Sequence, residues 1–383
     1  MKEIFFNKPL KIKESIKNVK KFLNTNSPLH GPGENIAEIK KKLFKEFGFK
    51  NILLTNSCTS ALEICSLALD LKEMDEVIVP SFSFITTASS FARKGCKIIF
   101  CDIEKKTLMP SLEDIKRCIT KKTKVIIIVH YQGYSVDYLD ELKKICKKKK
   151  IFLIEDAAQA LGSYFKNKPL GSFGDFSCFS FHETKNFHSG AGGMIVINNK
   201  KYLDKVKMIY DKGTNRYLMQ ENKIKYYSWV EIGSAFLMTE FSASFLNPQI
   251  QNYKEIILKR SKIYNRYLYL LSQINKKFFY IPNNFMYKHN YHAFVLILEK
   301  TNRERFLRFL KKFKINAVIS YTSLHRSKFG KKFFHGKKLA NTDKYVKKIV
   351  RLPMHNYLSI KDVNYICRII KKYFNFTNGK YEK

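Results

Sequence analysis

Three short segments hold residue types that could do chemistry together. In the first, Ser177-Cys178-Phe179-Ser180-Phe181 runs into the polar turn His182-Glu183-Thr184-Lys185-Asn186, followed by Gly190-Ala191-Gly192-Gly193. Glycines let backbone pass close to a ligand. For one lysine in a basic chain, surface charge is the ordinary reading. What sets Lys185 apart is its place on a short loop between two strand-like runs. In the second segment, the apolar run Ile151 to Ile154 ends in Glu155-Asp156, and Gln159 follows three residues after Asp156. Asp156 suits a metal ligand, an acid–base group or a partner for a buried cation, while helix N-capping is the plainer alternative. The third segment is Thr55-Asn56-Ser57-Cys58-Thr59-Ser60-Ala61-Leu62-Glu63. Hydroxyls and free N–H groups at a helix start make a ready phosphate site, again with N-capping as the alternative. Combined, the three supply a phosphate cradle, a carboxylate at a strand end and a lysine on a tight loop. That set is what pyridoxal 5'-phosphate (PLP) needs: an amine to hold it covalently and a carboxylate to keep its pyridine nitrogen protonated.

The elements that position these residues follow from the hydrophobic pattern. Strand-like runs at Asn51–Thr55, Glu76–Pro80, Lys97–Asp102, Val125–His130, Ile151–Asp156, Phe176–Phe181 and Met194–Asn198 alternate with helical patterns. This predicts an α/β fold with a mostly parallel sheet covered on both faces. Ligands in such sheets collect at the carboxyl ends of the strands, where Asp156 and Ser180 lie. After about residue 250 the pattern changes. A helix over Tyr253–Ile274, a strand over Tyr291–Glu299, a helix over Arg303–Phe313, a strand over Ile315–Tyr321 and a last helix over Lys361–Tyr373 predict a smaller α/β domain. The expected division is 1–250 for the large domain and 251–383 for the small one, with the first ~30 residues packing on either.

The net charge of +39, from 71 basic and 32 acidic residues among 383, invites a nucleic-acid reading. The charge is spread through lysine runs, however, and no helix-turn-helix, finger or RNP pattern accompanies it. We read it as a solvated surface whose field draws in anionic substrates, and expect no nucleic-acid partner. No apolar window reaches the ~18 residues of a membrane span. The N-terminus lacks the apolar core of a signal peptide. Eight scattered cysteines without a Cys-x-x-Cys pair fit reduced thiols in a cytoplasmic protein, with no metal site expected.

The chain resembles the DegT/DnrJ/EryC1 family of sugar aminotransferases, within the fold-type I PLP enzymes. The resemblance rests on Glu155 to Gln159, Ser180 to Asn186, Ser57 to Glu63 and Pro80 to Phe84. It implies that Lys185 holds PLP and shuttles the proton, Asp156 pairs with the pyridine nitrogen and Gln159 lies near the ring hydroxyl. It also implies that Phe84 stacks on the ring and that Thr59, Ser60 and Ser180 hold the phosphate. The nucleotide sugar would lie near Tyr321, His325 and the loop Gly213 to Arg216. L-Glutamate would be the donor, in a homodimer with shared sites. His130-Tyr131, Lys212 to Arg216, Lys225 to Trp229 and Gly233-Ser234 are most similar to members that convert dTDP-4-keto-6-deoxyglucose to dTDP-4-amino-4,6-dideoxygalactose for surface glycans.

The chain departs from the family pattern in three places. Ala191 stands where the family commonly has Glu. The stretch Gly233 to Met238 lacks the Asn and Arg of Gly-Tyr-Asn-Tyr-Arg-Met, leaving Ser234 as the candidate phosphate contact and Arg216 as the candidate for the donor carboxylate. Ser320 to His325 lacks the family's proline. Three other readings stand beside the main one: a 3-keto sugar aminotransferase, a PLP-dependent sugar dehydratase and a catalytically silent basic binding protein. Such dehydratases carry histidine in place of the lysine, so Lys185 favours transamination.

Overall fold

The computed structural model describes residues 2–274, 276–282, 287–334, 336 and 338–378. Its main sheet has seven strands: β1 (Ile52–Thr55), β2 (Glu76–Pro80), β3 (Lys97–Cys101), β4 (Thr123–Val129), β5 (Phe152–Asp156), β6 (Phe176–Ser180) and β7 (Gly193–Ile197). Their order is β1-β7-β6-β5-β4-β2-β3. The pairs β3/β2, β2/β4, β4/β5 and β5/β6 are parallel, whereas β7 runs antiparallel to both β6 and β1. Helices cross between the parallel strands, as such connections require: Ile85–Ala92 joins β2 to β3 and Leu139–Lys149 joins β4 to β5. The apolar run of β4 shows why both faces are covered. Val125 and Ile127 pack in one core with Ile64 and Phe91, while Ile126 and Ile128 pack in the other with Leu139 and Leu142. This is the predicted α/β architecture, a mostly parallel sheet covered on both faces.

A second, antiparallel sheet follows, β8 (Phe279–Tyr280), β9 (Phe294–Leu298) and β10 (Ile349–Leu352), in that order. Helices Tyr253–Leu271, Arg303–Lys312 and Ile360–Asn378 accompany it. Its core gathers Tyr264, Tyr267, Phe294, Phe306 and Phe374. Two expectations are corrected here. The strand predicted over Tyr291–Glu299 begins only at Phe294, because Tyr291 takes a left-handed φ of 55° that a strand does not accommodate. The segment Ile315–Tyr321 is no strand. It makes single bridges, Ile4 to Ile315 and Val318 to Arg351, and then leaves the sheet. Ile315 is buried but Ile319 is 46% exposed, so the apolar alternation lacks a continuous buried face. The sheet position is taken by β10 instead.

The first residues touch both regions. Ile4 bonds Lys314 and Asn316 through the backbone. The helix Lys13–Leu23 lies on the helix Glu240–Gln251, where Ser15 Oγ donates to the Phe245 carbonyl at 2.8 Å. We propose the domain division at 250/251, near Asn252, which separates that helix from Tyr253–Leu271.

Candidate active site

The carboxyl ends of β4, β5 and β6 meet the turn after β1 around a cavity of about 350 Å³. Thr59, Phe84, Asp156, Gln159, Ser180, Lys185 and Tyr321 all line it.

Lys185 sits on the loop between β6 and β7. Its N–H donates to the His182 carbonyl at 2.8 Å, and Glu183 N–H donates to Gly190 at 2.8 Å across the loop. The residues that follow pin the loop down. Asn186 donates to the Asn290 carbonyl at 2.8 Å and also bonds His292 Nδ1 at 3.1 Å, while Phe187 is buried. His188 Nε2 lies 2.8 Å from the Leu10 carbonyl. The Lys185 side chain is half-buried, and its amine makes no hydrogen bond or ion pair among the described residues. Burial pushes its pKa down to about 8, with the Arg351 charge adding to the effect and Asp156 opposing it.

The two adjacent carboxylates of β5 have different surroundings. Glu155 faces the interior, where it accepts from Gly171, Phe173 and Gly174 N–H, from Ser177 Oγ and pairs with His130 Nε2 at 2.9 Å. Burial alone would raise its pKa, but His130 and the backbone donors hold it below the ordinary value. Its acceptor capacity is spent on structure. Asp156 faces the cavity. Thr87 Oγ1 donates to its Oδ2 at 2.7 Å and Ala158 N–H to its Oδ1 at 3.2 Å. Burial raises its pKa, against the pull of those bonds and of the Lys185 charge. Such a carboxylate favours a cationic partner.

Gln159 joins two elements: its Oε1 accepts from Gln132 N–H at 2.7 Å and its Nε2 donates to the Tyr321 phenol at 2.5 Å. Phe84, 52% exposed, borders the mouth with its ring centroid 6.1 Å from that of Tyr321. At the start of the helix Cys58–Ala68, Ser57 Oγ accepts from Ser60 N–H at 3.0 Å. Thr59 from this turn and Ser180 from β6 both reach the cavity. A Cβ on Gly193 would come within 2.5 Å of the Ser57–Cys58 backbone, so only glycine lets β7 lie this close to the turn. Hydroxyls at a helix start, a free amine and a buried carboxylate fit the phosphate, aldehyde and pyridine nitrogen of PLP respectively.

Four expected residues lie elsewhere. Ser60 is turned away, its hydroxyl bonded to Asn56 and Ser57. His325 is buried with Nδ1 2.6 Å from Ser81 Oγ and Nε2 3.2 Å from Asp343, so its ring serves the packing between these segments rather than the cavity. Arg216 is drawn to the surface by Tyr227, over whose ring its guanidinium lies at 4.5 Å. Ser234 belongs to a backbone pairing in which its carbonyl accepts from Lys212 and its N–H donates to Ile209. The cavity instead contains His130, His292, Cys58 and Arg351, to which no role was assigned from sequence. Arg351 had a legible signal, a lone charge inside Ile349-Val350-Arg351-Leu352. Among the described residues no cluster of three or more metal-ligating side chains occurs, and no helix is long and apolar enough to cross a membrane.

Residues 9–371 match the model of the DegT/DnrJ/EryC1/StrS aminotransferase family. An uncharacterized protein of Methanocaldococcus jannaschii, MJ1066, is 33% identical over 87% of this chain and 88% of its own. The GDP-perosamine synthase of Vibrio cholerae is 27% identical over 94% and 96%. A putative sugar aminotransferase of Streptococcus pneumoniae, Spr1654, superposes with a TM-score of 0.89 at 25% identity, covering all of both chains, and is also known in a PLP form. The chain belongs to the DegT/DnrJ/EryC1/StrS aminotransferase family, and it is a PLP-dependent sugar aminotransferase.

Proposed function

We propose that this enzyme transfers the amino group of L-glutamate to a nucleotide-linked 4-keto-6-deoxy sugar. The proposed conversion is dTDP-4-keto-6-deoxyglucose to dTDP-4-amino-4,6-dideoxygalactose, for a surface polysaccharide. The observation that carries the transamination is the unpaired Lys185 amine sharing one cavity with Asp156. PLP supplies an aldehyde that takes up amines and a pyridinium that accepts the electron pair released at carbon. In this reading Lys185 Nζ holds the cofactor. Its amine would take the proton from the donor's α-carbon and later return one to the sugar carbon. Asp156, fixed by Thr87 and Ala158, holds the pyridine proton. Thr59 and Ser180 take the phosphate, and Phe84 and Gln159 border the ring. Lysine at this position also favours transamination over sugar dehydration.

The galacto product and the dTDP carrier rest on the resemblance at Gly213 to Arg216 and Tyr227 to Trp229. The vibrio relative is named for a GDP sugar, so the test uses both carriers. Purified enzyme with PLP and L-glutamate is offered 4-keto-6-deoxy sugars on dTDP and on GDP, and a 3-keto sugar on dTDP. The expected product is the dTDP sugar with an axial C4 amine, read by mass and NMR couplings. An equatorial amine, a C3 amine or exclusive use of GDP would refute the narrow assignment.

We further propose a homodimer. Tyr226, Trp229, Val230 and Ile232 form an exposed apolar stretch on the same loop as Arg216 and Ser234, and patches of this kind mark association surfaces. In the dimer this loop, with Ser234 and Arg216, would reach the partner's site. The eight cysteines are all unpaired, although Cys65 and Cys178 Sγ lie 3.6 Å apart. That supports a reducing, cytoplasmic setting.

A further inference from the structure

Two arginines lie near the junction of the sheets, and their surroundings differ sharply. Arg260 is fully satisfied: it donates to the carbonyls of Tyr291, His292 and Met354 and to Asn356 Oδ1. Arg351 has no such partners. Its guanidinium makes no hydrogen bond or ion pair among the described residues, and its Nε is buried without an acceptor. The Phe6 ring lies 4.9 Å from it.

The strand explains where it points. In β10, Val350 and Leu352 belong to the small-sheet core, so with a period of two Arg351 faces the other way. That direction is the cavity, which it lines together with Lys185, His292 and Tyr321. The backbone is fixed on both sides, by Val295 in β9 and by paired bonds to Val318 at 2.8 and 3.0 Å. Among the described residues Asp156 is the only carboxylate lining the cavity, and it is engaged by Thr87. A part-buried guanidinium whose Nε is enclosed without an acceptor is set to receive an anion from outside the chain.

We propose that Arg351 binds the α-carboxylate of the amino-acid donor. This rests on the transamination reading above and deepens it. The α-carboxylate is attached to the same carbon as the reacting nitrogen, so its cation must lie at the depth of the Lys185 amine. Arg351 meets that requirement by lining the same cavity as Lys185, Tyr321 and His292. The diphosphate of a nucleotide sugar hangs from C1, across the ring from C4, and calls for cations nearer the mouth. Planar guanidinium matches carboxylate through two parallel bonds. The Phe6 ring beside it offers no acceptor that competes for its hydrogens. Arg216, expected to serve the donor, lies on the surface loop instead.

The test uses PLP-loaded wild type, Arg351→Gln and Arg351→Lys. Binding of 2-oxoglutarate is measured by equilibrium dialysis, and the two half-reactions are measured separately by rapid mixing. In Arg351→Gln, affinity for 2-oxoglutarate should fall roughly 10- to 100-fold. The preference for glutamate over 4-aminobutyrate, which lacks a carboxylate on the amine-bearing carbon, should collapse. Bound PLP should stay stoichiometric, and the loss in the glutamate half-reaction should exceed by roughly 10-fold or more any loss in amination of the keto sugar by protein loaded with pyridoxamine 5'-phosphate. Arg351→Lys should recover part of the affinity. Unchanged 2-oxoglutarate binding in Arg351→Gln, or an equal loss in the keto-sugar half-reaction, would overturn the proposal. A wild-type protein that holds PLP but neither binds 2-oxoglutarate nor reacts with glutamate would overturn the donor reading itself.

Discussion

Thr87 Oγ1 lies 2.7 Å from Asp156 Oδ2, a hydrogen bond between the helix that follows β2 and the last residue of β5. It orients a carboxylate that otherwise keeps only the Ala158 N–H as a partner. Thr87→Val keeps the shape and removes the donor. We expect a fall of roughly 5- to 10-fold in the glutamate half-reaction, the size of one modest hydrogen bond. Asp156→Asn removes the charge and should cost at least about 100-fold. Rapid-mixing absorbance checks both, and equal rates in the three proteins would contradict the role of Asp156.

Glu155 and Asp156 should separate by experiment as they do in space. Glu155→Gln alters a buried anion that accepts four neutral donors and pairs with His130. It should destabilise the fold by about 3 kcal/mol, read by denaturant unfolding. Asp156→Asn should leave the unfolding midpoint nearly unchanged while the half-reaction fails. A reversed pattern would exchange the two assignments.

The Lys185 amine gives a pH signature in the cofactor-free protein. Its folded pKa, about 8, lies below the ordinary lysine value of 10.5. Between those values the unfolded chain binds the extra proton, so this group adds stability as pH rises from about 8 toward 10.5. The contribution is absent below about pH 8 and amounts to on the order of 3 kcal/mol at the top of the window. Lys185→Met should lack this rise and be the more stable protein at pH 7. Urea midpoints across the window, wild type against variant, decide it: parallel profiles would refute the free amine.

Trp229 is the only tryptophan in the chain and is 79% exposed in the single subunit. A homodimer that covers the Tyr226–Ile232 stretch should shift its emission to the blue at micromolar concentration and release the shift on dilution. Sedimentation velocity should report the same transition. A red, concentration-independent emission from a catalytically active monomer would refute the shared site.

Much of this site was legible in the sequence because strand ends announce themselves. Lys185, Asp156 and Ser180 each follow an apolar run, and parallel strands bring their carboxyl ends to one edge. Side-chain direction was not legible. Ser60 and Thr59 are neighbours with similar chemistry, yet only Thr59 reaches the cavity, because Ser60 closes the helix cap with Ser57. His325 carries a reactive ring, but its partners Ser81 and Asp343 are 244 and 18 residues away in sequence. Arg351 reaches the cavity only because the small sheet packs β10 beside it. The 315–321 segment misled for a related reason: its alternation of Ile315, Ala317 and Ile319 imitates a strand, but only its first residue is deeply buried.

Replacing Lys185 separates cofactor binding from amino-group transfer most directly. Wild type and Lys185→Ala, each loaded with PLP, are mixed with L-glutamate in the absence of sugar, and 2-oxoglutarate is counted by mass. Wild type should give one 2-oxoglutarate per chain, with loss of the near-visible absorbance, and then continuous turnover once the dTDP-4-keto-6-deoxy sugar is added. Lys185→Ala should retain loosely bound PLP and produce no turnover. Multiple turnover by Lys185→Ala, or no 2-oxoglutarate from PLP-loaded wild type, would contradict amino-group transfer through Lys185.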